Sequence, residues 1–254
     1  MGKTNVLILA GGTLPEDLKQ YSSGHDNRAL LKIGEKYMVE YVAEALRGSG
    51  EVGRVMAVGM KEPLEKALGG KADEVMEARD TMLENIRLGL DYFQGAKQLL
   101  ISTCDIPLIT PEIVNRFLEA CNKTPADVYY PVIEKKFNDE KYPATKRTYF
   151  KLRDGTYTGG NLVMLNPEVI RKNWSLLEQA IAARKSPFKL LSMIGFGFII
   201  KYLFHRLTLA DAERTVASIV GCRGRAVPVP DPEIGIDVDK ESDYVLVKEI
   251  LERA

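Results

Sequence analysis

The chain has 254 residues, of which 45% are hydrophobic and 28% are charged. This length and composition are typical of a globular protein with a sizeable core, and they exclude a disordered or fibrous chain. Its 35 basic and 35 acidic residues cancel. No overall electrostatic field therefore favours nucleic acid or an anionic membrane, and any anionic ligand must be held by local groups.

The cysteines and the most apolar segments narrow the class of protein further. Cys104, Cys121 and Cys222 lack the close spacing of a zinc site or a disulfide framework, so a cytoplasmic location fits them. The apolar run at 6–10 is too short for a signal peptide and leads directly into glycines. We expect no transmembrane segment, because charged residues interrupt the stretch 188–204 before it reaches ~20 apolar residues. That stretch is expected to form a core helix or a homodimer interface rather than a surface that contacts lipid.

Short apolar runs alternate with helical patterns through the first half of the chain. Residues 5–10 predict a buried strand, and 11–27 predict a long functional loop. Further along, we predict a helix over 37–46, strands over 54–59 and 73–77, a helix over 81–93 and another strand within 98–109. This alternation predicts an α/β fold with three layers, in which helices cover both faces of an open, mostly parallel sheet.

The second half of the chain is less regular. Residues 126–133 and 159–166 predict strands, and 174–207 has a mostly helical pattern. No repeat, low-complexity tract or linker divides the sequence. We therefore expect a single Rossmann-like domain over residues 1–254.

Polar and glycine residues follow two of the predicted strands. Ligands of such sheets bind beyond the carboxyl ends of the strands, so Gly11, Gly12 and Asp105 are expected to converge there. Glycines allow the backbone to approach phosphate closely, although a plain tight turn is the alternative. The sequence contains neither GxxxxGK[ST] nor a third glycine that opens a helix, which excludes a P-loop and a dinucleotide fingerprint.

Three aspartates are candidates for a metal site. Asp105 follows a buried strand and precedes Pro107, which stiffens the chain; a turn or helix-capping role is the alternative. Asp237 and Asp239 lie on the same face of an extended segment, because side chains alternate along such a segment. Magnesium takes one or two carboxylates together with phosphates and water.

The stretch "NRALLKIGEKYMVEYVAEAL" at 27–46, after "LAGG" and a long loop, resembles the MobA-like nucleotidyltransferases. This superfamily includes molybdenum-cofactor guanylyltransferase and nucleotidylyltransferases that act on sugar and polyol phosphates. In the family, a lysine precedes a small-Leu-Leu run, an aliphatic residue and a glycine, which residues 29–34 match. Arg28 replaces that lysine, and residues 14–27 replace the usual Arg-Met-Gly. Arginine keeps the positive charge and can contact two phosphate oxygens at once.

The resemblance implies the fold of the nucleotide-diphospho-sugar transferases and transfer of NMP from an NTP to a phosphorylated small-molecule acceptor, with Mg²⁺ as cofactor. Residues 1–125 would bind the NTP, and 126–254 would bind the acceptor and complete the metal site. Nucleotide binding is assigned to Leu9, Ala10, Gly11, Gly12, Arg28, Thr81 and Asn85. Acceptor binding is assigned to Lys151, Gly159, Gly160 and Asn161, and metal binding to Asp105, Asp237 and Asp239, with Asp237 preferred to Asp239. Arg28, Asp105 and Lys151 would act in catalysis.

Alternatives remain open for several of these assignments. Thr81 and Asn85 also fit a helix start and a helix surface, and Gly-Gly-Asn at 159–161 also fits a hairpin turn. The "DVD" at 237–239 could be the Asp-x-Asp motif of a glycosyltransferase that uses an NDP-sugar, although its place near the C-terminus speaks against that. A non-catalytic nucleotide-binding protein is the third possibility, in line with the departures at Arg28 and in the loop.

Overall fold

The computed structural model describes residues 2–183 and 192–253, which form a nine-stranded sheet with flanking helices and a two-stranded ribbon. The strands are β1 (Thr4–Ala10), β2 (Lys32–Ile33), β3 (Lys36–Tyr37), β4 (Val52–Gly59), β5 (Glu74–Glu77), β6 (Leu99–Thr103), β7 (Val128–Glu134), β8 (Phe150–Leu152), β9 (Gly155–Gly159), β10 (Leu162–Leu165) and β11 (Gly224–Val229). The helices are α1 (Met38–Gly48), α2 (Lys61–Leu68), α3 (Met82–Tyr92), α4 (Pro111–Asn122), α5 (Lys135–Lys141), α6 (Pro167–Lys172), α7 (Trp174–Ala183), α8 (Phe196–Leu203), α9 (Leu209–Val220) and α10 (Glu241–Arg253). Short 3-10 turns occur at Glu16–Tyr21, Arg28–Leu30 and Pro232–Gly235.

The sheet has the strand order β5-β4-β1-β6-β10-β7-β9-β8, and β11 pairs with β7. Among the described strands of this sheet, only β9 and β10 run against the other seven. Helices cover both faces, since α1 and α4 pack in one core cluster while α3 and α6 pack in another. The predicted open, mostly parallel sheet is therefore confirmed.

The central strand β1 shows why this arrangement forms. Val6 and Ile8 are buried in the cluster on one face, and Leu7 is buried in the cluster on the other. A strand that is covered on both faces reads as a continuous apolar run rather than as an alternating one. The parallel neighbours β4 and β6 pair with β1 over most of its length, so their carboxyl ends meet at one edge of the sheet.

Strands β9 and β10 are two parts of one extended segment beside β7. Regular pairing from Val132, opposite Gly159, would place residue 162 opposite Tyr129, but Met164 lies there. The additional residues form a bulge at 160–161, which bends β9 away from β10. The predicted strand at 159–166 thus starts in this bulge, and the Gly-Gly-Asn sequence is not a hairpin turn. The hairpin turn instead lies at 153–154, between β8 and β9.

The apolar stretch predicted as a core or interface helix forms α8 at the surface. Phe196 is 76% exposed, Leu203 is 67% exposed and Phe204 is 71% exposed, and α8 buries no side chain. The expectation of a core helix is therefore wrong for residues 196–204, while a dimer interface remains a prediction. Residues 188–191 of that stretch lie outside the described residues. In the described part of the chain, no helix is long and apolar enough to cross a membrane.

Candidate functional site

A closed loop follows β1 at the carboxyl edge of the sheet. The Asn27 Nδ2 donates to the carbonyl of Ala10 at 3.0 Å, and the Asn27 Oδ1 accepts the N–H of Ala29 at 2.9 Å. The Arg28 N–H donates to the carbonyl of Gly12 at 2.9 Å. These bonds fasten the end of the loop to its beginning. Sequence analysis missed Asn27, although an asparagine before a short helical turn is a recognisable cap.

Arg28 joins two aspartates that are distant in sequence. Its Nη1 lies 2.8 Å from the Asp105 Oδ2 and 2.5 Å from the Asp239 Oδ1. The backbone adds a further link, because the Val238 N–H donates to the carbonyl of Asp105 at 2.9 Å. Burial opposes the charge on Arg28, but its bonds to Asp105 and Asp239 outweigh burial and raise its pKa. The predicted convergence of Gly12 and Asp105 at one edge is thus present, with Arg28 between them.

Asp237 forms an ion pair with Arg147 beside this cluster. Arg147 was not predicted, since it lies between α5 and β8 in a stretch without periodicity. Burial and then the charge of Asp237 raise the pKa of Asp239, and Arg28 opposes that rise only in part. Asp237 and Asp239 therefore lie near each other, although each contacts a different arginine.

The charges at this edge fit a bound cation. Three carboxylates, Asp105, Asp237 and Asp239, face two guanidinium groups, Arg28 and Arg147, which leaves a formal negative charge. The Asp105 Oδ1 is buried without a hydrogen-bond partner among the described residues. Oxygen ligands and surplus negative charge suit Mg²⁺. No group of three or more His, Cys, Asp or Glu side chains in the described residues could hold a metal alone, so phosphate oxygens and water would have to complete the shell.

The segment that carries Asp237 and Asp239 is anchored from the opposite side. The Asp231 carboxylate pairs with Arg116, with 2.6 Å from Asp231 Oδ1 to Arg116 Nη2. The buried Glu233 accepts a hydrogen bond from the hydroxyl of Tyr142 at 2.8 Å. Burial and this bond to Glu233 raise the pKa of Tyr142 well above its usual value, so the hydroxyl stays a donor. These contacts position the acidic segment at 237–239.

Thr81 and Asn85 lie at the start of α3 and have different contacts. The Asn85 Oδ1 accepts the N–H of Arg79 at 2.7 Å, and a β-carbon on Gly11 would lie 3.6 Å from the Asn85 Nδ2. The Thr81 hydroxyl accepts the N–H of Glu84 at 3.2 Å and donates to its carboxylate at 2.8 Å. Asn85 therefore lies beside Gly11, while Thr81 caps α3. Direct contact of either side chain with a nucleotide remains a prediction.

The bulge at 160–161 reaches the same edge of the sheet. The carbonyl of Asn161 accepts the N–H of Thr103 at 3.2 Å, which places Asn161 at the end of β6 just before Asp105. A β-carbon on Gly160 would come within 2.5 Å of the Ile234 Cγ2, so only glycine fits there without a shift of its neighbours. The structure thus brings the predicted Gly-Gly-Asn sequence close to the aspartates.

Lys151 lies farther out, on the exposed edge strand β8 opposite Thr156. Its neighbours Phe150 and Leu152 point to the other face of the β8–β9 hairpin, because side chains alternate along a strand. Lys151 is therefore placed at the outer side of the candidate site rather than against Arg28 or Asp105. Its role toward an acceptor remains a prediction.

The chain is similar to known proteins in sequence and in fold. Residues 6–194 match the family model of the MobA-like NTP transferase domain. A hypothetical transferase from Thermus thermophilus is 33% identical, with a TM-score of 0.85, over 95% of this chain and 99% of that chain. CMP:2-keto-3-deoxy-manno-octonic acid synthetase, solved with CTP, is 16% identical, with a TM-score of 0.63, over 99% of both chains. The 2-C-methyl-D-erythritol 4-phosphate cytidylyltransferase from Thermus thermophilus is 17% identical, with a TM-score of 0.57, over 99% of this chain and 100% of that chain.

The last two likenesses show the fold alone, which is the nucleotide-diphospho-sugar transferase fold predicted from the sequence. A comparison with curated proteins found no match. The family match covers the loop, Arg28, Asp105 and the bulge, whereas the acidic segment at 237–239 lies beyond it.

Proposed function

The chain belongs to the MobA-like NTP transferase family, and we propose that it transfers NMP from an NTP to a phosphorylated small-molecule acceptor. The observation that carries this proposal is the meeting of Arg28, Asp105 and Asp239 beside the Gly12 backbone. A fixed cation, surplus carboxylates and an open glycine backbone are the groups that a metal-bound triphosphate needs.

In this proposal, the residues at the end of β1 hold the nucleotide. The exposed Gly11 and Gly12 let the backbone approach the triphosphate, and Arg28 neutralises its oxygens. Asp105, with Asp237 or Asp239, would hold Mg²⁺, which when bound withdraws negative charge from the phosphates. Arg147 balances the carboxylate of Asp237.

The reaction is an in-line displacement at the α-phosphorus. An oxygen of the acceptor phosphate forms a bond to that phosphorus, and the bond to the bridging oxygen of the β-phosphate breaks, so pyrophosphate leaves with the electron pair. The attacking oxygen is already anionic, and no general base is required. Catalysis then consists of aligning two polyanions and stabilising the charge that develops on the leaving group. Lys151, Gly159, Gly160 and Asn161 would position the acceptor.

The buried Cys104 next to Asp105 does not offer an alternative nucleophile. Burial raises the pKa of its thiol far above the usual value, so the reactive thiolate is absent at neutral pH. This fits direct transfer between two phosphates rather than transfer through a covalent enzyme intermediate.

A pyrophosphate-release screen tests the proposal. ATP, GTP, CTP and UTP are crossed with sugar phosphates, polyol phosphates, alkyl phosphates and molybdopterin, each with Mg²⁺ and with EDTA. We expect pyrophosphate from at least one pair, only with Mg²⁺. Sugar transfer from an NDP-sugar without pyrophosphate would indicate a glycosyltransferase, and tight NTP binding without turnover would indicate a nucleotide-binding protein without catalysis.

A further inference from the structure

An apolar groove lies between the sheet and helices α8 and α9. It has a volume of about 460 Å³, which is the size of a small-molecule site. Its sheet side includes Val132, Phe150 and Leu152, and its helix side includes Ile194, Phe198 and Ala212. The lining contains no charged side chain among the described residues, and its polar side chains are Tyr130, Tyr157, Tyr202 and Thr158. Because most of the lining is apolar, the groove suits a hydrocarbon better than a charged or strongly polar group.

The groove is fastened at one end by contacts between the β8–β9 hairpin and α9. The Arg153 N–H donates to the carbonyl of Leu207 at 2.7 Å, and the Asp154 carboxylate accepts the N–H of Leu209 at 3.0 Å. Lys201 on α8 pairs with Asp211 on α9 at 2.8 Å. These bonds hold the helix side and the sheet side together.

One of the candidate acceptor residues, Gly159, lies in the wall of the groove. Its carbonyl lies 3.0 Å from the position that a β-carbon on Gly235 would take. Gly235 comes two residues before Asp237. The backbone of Gly159 therefore contacts both the groove and the segment that leads to Asp237. On β8, the groove residues Phe150 and Leu152 flank Lys151 in sequence, and the side chain of Lys151 lies on the other face of this edge strand.

A second apolar cavity adjoins the groove. This cavity of about 220 Å³ shares Ile194, Phe198 and Ala212 with the groove and is also lined by apolar side chains such as Met193 and Ile219. Two adjoining apolar cavities suit a flexible hydrocarbon chain better than a compact ring system. The family match ends at residue 194, so helices α8 and α9 lie beyond the matched residues.

We propose that this groove binds the hydrocarbon tail of the acceptor, which is then a phosphate monoester of an alkyl or isoprenoid alcohol. This inference rests on the proposed nucleotidyl transfer and names its acceptor class. The reaction joins the alkyl phosphate to the α-phosphorus of the NTP, giving a nucleoside diphosphate alkyl ester and pyrophosphate. The proposal assigns residues 192–204 to lipid contact, which the sequence pattern favoured less than a core or interface helix.

Chain length gives a direct measure of the effect. Each methylene group that enters the groove should lower the KM of an n-alkyl phosphate by about fourfold until the groove is filled. Decyl phosphate should therefore have a far lower KM than butyl phosphate. The affinity for the NTP should not change along the series, because the proposed nucleotide residues Gly12, Arg28 and Asp105 are not part of the lining of the groove.

The test compares a variant that fills the groove with a variant that adds the same bulk outside the groove. Ala212→Phe adds bulk to the lining of the groove, whereas Ala210→Phe adds the same bulk to an exposed position on the same helix. Binding of cis-parinaric acid, followed by fluorescence without any nucleotide, reports the groove independently of activity. We expect Ala212→Phe to weaken this binding at least tenfold and to raise the KM of decyl phosphate, and Ala210→Phe to change neither.

A second variant guards against misfolding. Phe150 is 56% exposed on an edge strand, so Phe150→Gln should fold and should also weaken cis-parinaric acid binding. Turnover of a sugar or polyol phosphate with no cis-parinaric acid binding would overturn the inference and leave the proposed function intact. Groove binding without pyrophosphate from any pair would overturn nucleotidyl transfer and the acceptor role together. A dimer that Ala212→Phe dissociates, with no binding of the probe, would assign the groove to a second copy.

Discussion

Two regions of this molecule differ in the forces that build them. Around Arg28, the chain brings together ion pairs, buried carboxylates and backbone hydrogen bonds from segments that are far apart in sequence. In the groove beneath α8, most of the lining side chains are apolar, and the helix itself buries none. A polar cluster of this kind costs desolvation energy unless it serves charged ligands, and an exposed apolar surface is unfavourable unless something covers it.

The comparison suggests that the residues for the reaction and the residues for acceptor selectivity lie in different parts of the chain. The loop, Arg28 and Asp105 lie within the part of the chain that matches the family, whereas α8 and α9 lie beyond it. We infer that the first region supplies the reaction common to the family and that the second region selects the acceptor. Variants in the two regions should then affect different kinetic constants.

The largest effect is expected at Asp105. Asp105→Asn keeps the shape of the side chain but removes a charge, and we expect kcat to fall at least ~100-fold. Asp237→Asn should behave similarly, and the double variant should be little worse than either, because both remove the same ion. Mg²⁺ titration by calorimetry and steady-state assays measure this. Asp91→Asn, an exposed change on α3, is the control; near-normal turnover of Asp105→Asn at saturating Mg²⁺ would refute the metal assignment.

Arg28 should affect the nucleotide before any chemistry takes place. We expect Arg28→Ala to weaken NTP binding by about 10- to 100-fold, the range for losing a hydrogen bond to a charged group. Arg28→Lys should keep part of the affinity. Calorimetry with the preferred NTP measures it, and Lys19→Ala, in the exposed loop, should bind normally. An unchanged affinity in Arg28→Ala would remove Arg28 from the site.

A change at Lys151 should distinguish acceptor binding from nucleotide binding. We expect Lys151→Ala to raise the KM of the acceptor by about tenfold, since one charge-assisted contact to a phosphate is lost, and to leave NTP affinity unchanged. The exposed Lys172, changed to alanine, serves as the control. Equal losses for both substrates would instead indicate a general effect on folding or on charge.

Thr81 distinguishes a structural role from a nucleotide contact. Removing the cap in Thr81→Ala should lower the free energy of unfolding by about 1 kcal/mol, while Thr81→Ser should retain most of it. Urea denaturation measures both. A loss of NTP affinity in Thr81→Ala, with Thr81→Ser unaffected, would support the nucleotide role as well as the cap.

The smallest effect concerns the pH dependence of stability at Asp239. The pKa of Asp239 in the folded protein is raised above the ordinary value of 3.8. Between pH 3.8 and this raised pKa, the folded protein therefore binds more protons than the unfolded protein. The free energy of unfolding therefore falls as the pH rises through this window and stays lower above it. Without Mg²⁺ at pH 7, Asp239→Asn should melt no more than about 2 °C above the parent. Scanning calorimetry should show the difference vanish below pH 3.8, and a lower Tm for Asp239→Asn at pH 7 would contradict this.

Local patterns were sufficient for much of the fold. Apolar runs identified the strands of the parallel half, and the rule that strand ends converge correctly brought Gly12 and Asp105 to one edge. Contacts between residues that are distant in sequence could not be predicted from local patterns. The bulge at 160–161 depends on how β9 and β10 share the edge of β7, and Arg147 contacts Asp237 across ninety positions of sequence.

The error at α8 has a different cause. The composition of 196–204 is that of a buried helix, and nothing in a local pattern states whether the rest of the fold provides a covering layer. For Thr81 and Asn85, the helical spacing did not reveal their contacts: Thr81 precedes α3 and bonds Glu84, whereas Asn85 lies beside Gly11.

The hydrogen bonds of Asn27 determine how the loop after β1 can vary in sequence and length. Because Asn27 and Arg28 bond the carbonyls of Ala10 and Gly12, the residues from 13 to 26 form a ring whose two ends are already joined. The entropy of closing such a ring grows only slowly with its length. Leu14 and Leu18 are buried in a core cluster with Tyr244 of α10, which fixes the ring along 14–21, whereas its tip at 23–24 is exposed. Insertions or a grafted peptide at this tip should therefore be tolerated without moving Arg28, which makes the tip a natural point for evolutionary variation and for protein engineering.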